Sequence, residues 1–223
     1  MHSIQKILLK RLLVNNGQKY STLTQGYNYE DNIVFHLKQL QNSGLILKSE
    51  SNYSITTKGT KEITKFDLNS LEDTGFKTFF LGFVCKNDKE YLLKEHSSKN
   101  EAFYNLPSGK PMFGENINDA LIRAFYENTG LKLESDNFKY LSLHLKTIKT
   151  SSGEVLFDDA FAIYEILISD SQKTDMNLGK NIKWFSKNDV EKMKNCWPEV
   201  DFIILKDDKT NYRSYQFVSD YII

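Results

Sequence analysis

Apolar residues recur at helical spacing in two segments near the start of the chain. They lie three or four positions apart, as one face of a helix requires: Ile4, Ile7, Leu8 and Leu12 in the first segment, and Ile33, Leu37 and Leu40 in the second. The first predicted helix ends near Gly17, and the second spans residues 29–42 and ends before Gly44. Each helix is expected to bury its apolar face.

A hairpin and a short helix follow the second helix. The predicted strands are residues 45–47 and 53–56, and they flank the polar tip 48–52. The short helix is expected to begin at Thr57.

The larger remainder of the chain begins with strand patterns. The aromatic, apolar run 76–84 and the segment 90–94 predict two strands, which a turn at 87–89 joins. Near the end of the chain, the aromatic residues after Trp197 fit either a strand or a helix.

Charge divides the chain in the same way. The 223 residues include 29 basic and 29 acidic side chains, so the formal net charge is zero. Residues 1–66 hold nine of the basic and four of the acidic side chains, a net charge of +5, which leaves −5 on the rest. The polar, acidic segment 67–75 suits a linker. We therefore expect two domains with different partners.

Cysteine usage and hydropathy argue against several classes of protein. Cys85 and Cys196 are the two cysteines, and neither has a CxxC partner or a histidine at metal-ligand spacing. A disulfide scaffold and a zinc site are therefore not expected. The longest apolar run, from Phe79 to Cys85, is too short to span a bilayer, and the N-terminus has no signal-peptide pattern. The sequence predicts a cytoplasmic protein that has no membrane partner.

The basic part of the chain resembles winged-helix transcription regulators. The resemblance rests on the order helix, short helix, helix, hairpin and on the segments HLKQLQNSGLI and YSITTKG. It implies that helix 29–42 enters the major groove of double-stranded DNA and that the tip 48–52 is the wing. The residues expected to contact DNA are Lys38, Gln39, Asn42 and Lys48. An outward Phe35 and the acidic Glu50 favour the alternative, a winged helix that contacts proteins or forms a homodimer.

The segment LPSGKPMFGENINDALIRAFYENTGL, residues 106–131, predicts a loop followed by a helix. Asn116 is the expected N-cap of the helix, and Gly130 ends it. The segment resembles the Nudix box, G-x5-E-x7-R-E-U-x-E-E-x-G-U, in which U is aliphatic. The positions that match are Gly109, Glu115, Arg123, Glu127, Gly130 and Leu131. Downstream, IKWFSKNDVEKM at 182–193 resembles the strand and helix that commonly close this fold.

The two resemblances imply an α+β protein with two domains. An N-terminal winged helix-turn-helix domain (1–66) and a linker (67–75) would precede an α/β/α Nudix sandwich with a mixed sheet (76–223). Nudix proteins hydrolyse a pyrophosphate linkage in nucleoside-diphosphate compounds with Mg²⁺ or Mn²⁺. The resemblance assigns catalysis to Glu127, Glu115 and Arg123, metal binding to Glu127 and Glu115, and ligand contacts to Gly109, Lys110 and Trp184. For Trp184, a place in the core is the alternative.

The box departs from its pattern at two of the three positions that carry metal-binding glutamates. Ala124 and Asn128 stand there, and only Glu127 remains. Carboxylates supply both charge and oxygen ligands, so affinity for Mg²⁺ or Mn²⁺ is expected to be weak or lost. Acids outside the box offer replacement ligands, and their alternative is a solvated loop: Glu154, Asp158, Asp159 and Glu165.

These features favour a ligand-responsive DNA-binding regulator. Its Nudix-like domain would bind a nucleoside-diphosphate compound similar to ADP-ribose, with weak or no hydrolysis. The alternative is an active, metal-dependent Nudix hydrolase that cleaves a nucleoside diphosphate linked to another moiety. The sequence leaves open whether the protein is an enzyme, which nucleotide and operator it binds, and what residues 197–223 do.

Overall fold

The computed structural model describes residues 1–67, 70–71, 77–97, 102–208 and 210–219. The chain forms two compact units, Met1–Phe76 and Lys77–Ile223. Most of the predicted linker 67–75 lies outside the described residues, which include only three of its positions. None of the helices in the described part of the chain is long and apolar enough to cross a membrane.

The first unit combines helices with a small sheet. Its elements are α1 (Ser3–Val14), β1 (Gln18–Lys19), α2 (Tyr20–Leu23), α3 (Ile33–Asn42), β2 (Ile46–Ser49), β3 (Asn52–Ile55) and α4 (Thr57–Ile63). The three strands form an antiparallel sheet in the order β1-β3-β2.

The helix predicted over 29–42 is shorter than expected. Tyr29–Asp31 form a 3-10 turn, and Asn32 has a left-handed backbone conformation with φ of 49°. This residue interrupts the helix, so α3 begins at Ile33. The apolar stripe is buried as predicted, and Leu37 and Leu40 join the core of the unit with Leu8 of α1.

The hairpin also differs from its prediction. Ser49 pairs with Asn52, so only Glu50 and Ser51 lie between the strands. Glu50 has φ of 52°, as a tight two-residue hairpin turn requires of a central residue. Lys48, expected in the tip, therefore lies on β2.

The second unit is built on a mixed sheet. Its strands are β4 (Thr78–Lys86), β5 (Glu90–Ser97), β6 (Ala102–Asn105), β7 (Ser108–Gly109), β8 (Lys139–Lys149), β9 (Val155–Leu167), β10 (Ile182–Ser186) and β11 (Tyr212–Val218). The main order is β10-β5-β4-β9-β8-β11, with β6 on β5 and β7 on β4. The pairs β4–β9 and β8–β11 are parallel. Of the aromatic residues after Trp197 for which strand and helix were alternatives, Tyr212, Tyr215 and Phe217 lie on β11, and Tyr221 lies outside the described residues.

Helical segments cover both faces of this sheet. They are α5 (Ile117–Thr129), α6 (Asp170–Asp175), α7 (Lys187–Lys192), α8 (Pro198–Val200), a 3-10 turn at Ser135–Asn137 and a π-helical segment at Asp201–Leu205. Phe83 of β4 packs with Phe125 of α5 on one face. The adjacent Val84 points to the other face and packs with Val190 of α7 and Ile203. This alternation gives the α/β/α layering.

Candidate functional site

Local sequence signals position the loop and helix of the candidate site. The Asn116 side chain caps α5 by accepting a hydrogen bond from the Asn118 backbone N–H at 2.8 Å. Gly130 ends the helix with φ of 68°. The predicted bounds of the helix agree with the structure. Gly109 ends β7 and pairs with Leu81, which attaches the start of the loop to the sheet.

One guanidinium connects the loop to the helix. Arg123 donates from Nε and Nη2 to the two carboxylate oxygens of Glu115, both at 2.7 Å. Its Nη1 donates to Glu127, one turn along α5, at 3.1 Å. Its Nη2 also donates to the backbone carbonyl of Lys110 at 3.0 Å. We call this network of Arg123, Glu115, Glu127 and the Lys110 carbonyl the Arg123 clamp.

The clamp fixes the charge of Glu115. Hydrogen bonds from Arg123, and then from the Met112 backbone N–H, lower the pKa of this carboxyl to about 2. Pairing with Glu115, and then with Glu127, raises the pKa of the Arg123 guanidinium. Glu115 is therefore a carboxylate at any physiological pH, and its charge is already balanced by Arg123.

The side chains around the clamp do not fit a divalent-cation centre with several carboxylate ligands. Glu115 and Glu127 share one guanidinium, and Ala124 offers no ligand atom. Asn128 uses its amide nitrogen to donate to the carbonyls of Ala124 and Ser108, at 2.7 and 3.1 Å. Within the described ranges, no three His, Cys, Asp or Glu side chains are grouped so that they could hold a metal ion.

The replacement ligands suggested by the sequence lie in different environments. Asp158 forms an ion pair with Lys77, and Glu165 forms one with Lys86 at 2.6 Å. Glu154 is exposed in the turn between β8 and β9. Asp159 is buried on β9, directly opposite Lys146 of β8. The structure therefore does not bring these four acids to the clamp as a set.

The two other expected ligand contacts differ in their relation to the clamp, because Lys110 contributes its backbone carbonyl to it and Trp184 does not. The exposed Lys110 belongs to the loop, and its Nζ lies 4.8 Å from the ring centroid of Phe80. Trp184 packs against the apolar cluster beneath α5, and the Lys173 ammonium lies 4.9 Å from its ring centroid. Trp184 is partly buried and is not part of the Arg123 clamp, and its contact with a ligand stays a prediction.

The residues expected to contact DNA share the surface of the first unit. All four are exposed: Lys38, Gln39 and Asn42 on α3, and Lys48 on β2. Two apolar residues of α3, Val34 and Phe35, are exposed as well. This surface therefore carries both polar donors and apolar side chains.

Sequence reasoning missed a group of buried polar residues in the second unit. Lys146 of β8 and Glu199 of α8 form an ion pair with side-chain exposures of 1% and 0%. The two residues are more than fifty positions apart, so no local sequence pattern predicts that they pair. The one available signal was the alternation along β8, where Ser142, His144 and Lys146 occupy inward positions.

A comparison with protein-family models finds no match to this sequence, and a comparison with curated proteins finds none either. Among solved structures, the mutator protein MutT from Bacillus halodurans has a TM-score of 0.50 at 14% identity, covering 64% of this chain and 92% of that one. A NUDIX-family hydrolase from Clostridium perfringens has a TM-score of 0.40 at 15% identity, covering 59% and 95%. A Caenorhabditis elegans Ap4A hydrolase has a TM-score of 0.37 at 19% identity, covering 57% and 94%.

The likeness to the Bacillus protein shows the fold. A match over 64% of the chain is longer than the first unit and therefore has to include the second. The mixed sheet with helices on both faces is the MutT-type fold that the Nudix resemblance implied, so that expectation is confirmed.

Proposed function

We propose that the protein is a ligand-responsive, DNA-binding regulator. Its second unit binds a nucleoside-diphosphate compound similar to ADP-ribose and hydrolyses it weakly or not at all. Its first unit is a winged helix that binds double-stranded DNA. The observation that supports this most strongly is the Arg123 clamp, in which the two glutamates of the box that remain share one guanidinium.

The clamp argues against hydrolysis through its charge. Catalysis by Mg²⁺ or Mn²⁺ requires several oxygen ligands with a net negative charge, and this chain retains two carboxylates that face one cation. The loop is held without a metal, because Arg123 bonds to its carboxylate and its backbone. A binding site can therefore persist after turnover has been lost.

The first unit has the charge and the exposed donors that DNA binding needs. Residues 1–66 carry a net charge of +5, which favours the phosphate backbone. Lys38, Gln39 and Asn42 lie along the exposed side of α3 and have side chains suited to base edges and phosphates. Lys48 adds a cation on the hairpin. A ligand regulates this activity only if it binds the DNA-competent and the free protein with different affinities.

Incubation of the purified chain with ADP-ribose and Mg²⁺ or Mn²⁺ tests the second unit. We expect saturable binding by calorimetry and no product above the background of the heat-treated protein. Turnover that Glu127→Gln abolishes would establish the alternative, an active hydrolase. The retained spacing of Glu115, Arg123 and Glu127 is the observation that favours that alternative.

Fluorescence anisotropy with random and genomic duplexes at low salt tests the first unit. Lys38→Gln should weaken binding about tenfold. Lys61→Gln, which removes the same charge from the exposed surface of α4, is the matched control and should have a smaller effect. Equal effects of the two variants would contradict a specific role of α3.

A further inference from the structure

An exposed aromatic side chain lies in the first turn of α3. A helix over 29–42 would have placed Phe35 near its middle, but α3 begins at Ile33, so Phe35 is its third residue. The backbone N–H of Phe35 donates to the Asn32 carbonyl at 2.9 Å, and the residue is 57% exposed. Scattered apolar side chains are common at protein surfaces, so the neighbours of Phe35 decide its role.

Phe35 lies at the centre of the exposed face of α3. Successive residues of a helix are rotated by about 100°, so Lys38 and Gln39 lie one turn further on, on either side of Phe35. Asn42 lies two turns further on, almost in line with Phe35. All four residues are exposed, whereas the apolar stripe of the helix is buried. The face therefore presents one aromatic ring among an ammonium group and two carboxamide groups.

A series of packed rings supports Phe35 from inside the first unit. Its ring packs edge to face with that of the buried His36, with 5.5 Å between centroids. His36 stacks on His2 at 4.5 Å. His2 is itself fixed at the start of α1, because its side chain accepts a hydrogen bond from the Ile4 backbone N–H at 3.2 Å. The Phe35 side chain therefore loses little conformational entropy when it makes a further contact.

The charge around Phe35 favours DNA as the molecule that covers this face. The helix Ile33–Asn42 contains no acidic residue, and residues 1–66 carry a net charge of +5. The nearest preceding acids in the sequence, Glu30 and Asp31, lie in the turn before the helix, and the Asp31 carboxylate accepts a hydrogen bond from the Asn28 backbone N–H at 2.7 Å. A cationic face of this kind complements the phosphate backbone.

We propose that Phe35 is a specificity-determining residue that contacts the 5-methyl group of a thymine in the major groove. Lys38, Gln39 and Asn42 bind the phosphates and base edges on either side of that thymine. This inference rests on the proposed binding of DNA by the first unit, since it names a base that the unit reads.

The base follows from the chemistry of the groove and from the place of Phe35 in the helix. The N-terminal residues of a recognition helix contact base edges, and Phe35 lies in the first turn of α3. Thymine alone presents a methyl group in the major groove, whereas the other three bases present only polar atoms there. An aromatic ring offers no strong hydrogen-bond donor or acceptor to those atoms, so the methyl group is the contact that it favours.

Selection of duplexes from a random pool with the full chain, followed by fluorescence anisotropy, tests the inference. Each thymine of the tightest-binding duplex is replaced in turn by deoxyuridine, which lacks only the methyl group. The wild-type protein should lose about fourfold in affinity at one or more of these thymines, the effect of removing one methyl group from an apolar contact. Phe35→Ala should bind the original duplex more weakly and show no further loss at those thymines.

Two variants of α3 serve as controls. Val34 is 56% exposed in the same turn but lies at the edge of the face, beyond Lys38. Val34→Ala should therefore keep the fourfold loss. Lys38→Gln should weaken binding to the thymine and deoxyuridine duplexes equally and preserve their ratio, because a phosphate contact does not depend on the base.

The outcomes separate this inference from the proposed function. Equal wild-type affinities for the thymine and deoxyuridine duplexes at every position would overturn the role of Phe35 while leaving DNA binding intact, and this comparison needs no variant. A loss that persists in Phe35→Ala would overturn it as well. If Phe35→Ala keeps the thymine preference but converts a dimer to a monomer in sedimentation, the face is an interface between copies of this chain and the inference fails. Enrichment of no duplex would refute the proposed DNA binding, and the inference with it.

Discussion

Gly109 and Ala124 pack so closely that a Cβ atom on Gly109 would lie 2.5 Å from the Cβ of Ala124. The glycine ends β7, and the alanine is fully buried in the middle of α5. Close approach of the strand to the helix explains the glycine here, because its φ is not in the left-handed region. The first glycine of the box is therefore a packing requirement of this fold.

The Gly109→Ala substitution is expected to lower the free energy of unfolding by about 1–3 kcal/mol, since the methyl group forces a shift of the strand or the helix. Urea denaturation followed by Trp fluorescence measures this, because Trp184 and Trp197 both belong to the second unit. Gly179→Ala is the matched control, as a Cβ there meets no atom within 4 Å. A loss at Gly109 no larger than that at Gly179 would refute the packing argument.

The parts of the site that the sequence predicted are those that local rules determine. The cap at Asn116, the end at Gly130 and the four-residue spacing of Arg123 and Glu127 all follow from helix geometry. The pairing of Glu115 with Arg123 was not predicted, because it depends on the path of the loop between residues 109 and 116. The box motif and the bounds of its helix could therefore be predicted, but not the loop's attachment to the helix.

The rest of the site depends on strand pairing that no short pattern contains. Asp159 and Lys146 are neighbours because β8 pairs with β9, and Glu199 reaches them from a helix beyond β10. The face of the sheet on which Trp184 lies depends on the pairing of β10 with β5 in the same way. The interruption of the predicted helix at Asn32 was not expected, because the pattern of apolar residues does not show where a residue has a left-handed backbone conformation.

The stability of the second unit should depend on Glu115 at acidic pH. A carboxyl group whose pKa is lower in the folded than in the unfolded state stabilises the fold. This stabilisation is complete at pH values above the pKa of the unfolded state. This stabilisation is lost as the pH falls from about 4.5 towards the folded pKa of about 2. Glu115→Gln should therefore unfold at a lower temperature than the wild-type protein at pH 5, and the difference should shrink below pH 4.

A matched control separates this effect from general acid unfolding. Glu154→Gln removes an exposed carboxylate from the turn between β8 and β9 and should follow the wild-type melting temperature throughout. If the difference between Glu115→Gln and the wild-type protein stays constant from pH 5 to pH 3, Arg123 does not lower the pKa of Glu115.

His144 should make the second unit less stable as the pH falls through the weakly acidic range. Burial, more than any other cause, lowers the pKa of this imidazole from 6.5 to about 4. The unfolded chain therefore binds a proton between these values that the folded chain does not, and stability falls with pH across that window. The full effect is roughly 3 kcal/mol. An NMR titration of the His144 imidazole should give a midpoint near 4, and a midpoint near 6.5 would contradict the prediction.

The pairing of Lys146 with Glu199 predicts a non-additive response to mutation. Lys146→Met alone leaves the buried Glu199 carboxylate without its cation and should lower the free energy of unfolding by about 3–5 kcal/mol. Glu199→Leu alone leaves the buried Lys146 ammonium without its anion and should lower the free energy of unfolding by a similar amount. The double variant Lys146→Met/Glu199→Leu removes both charges and should recover most of the loss, because two apolar side chains bury without a desolvation cost. The exposed pair Lys65–Glu62 is the control, and Lys65→Met should cost at most about 1 kcal/mol. Additive losses in urea denaturation would mean that the two charges do not stabilise one another.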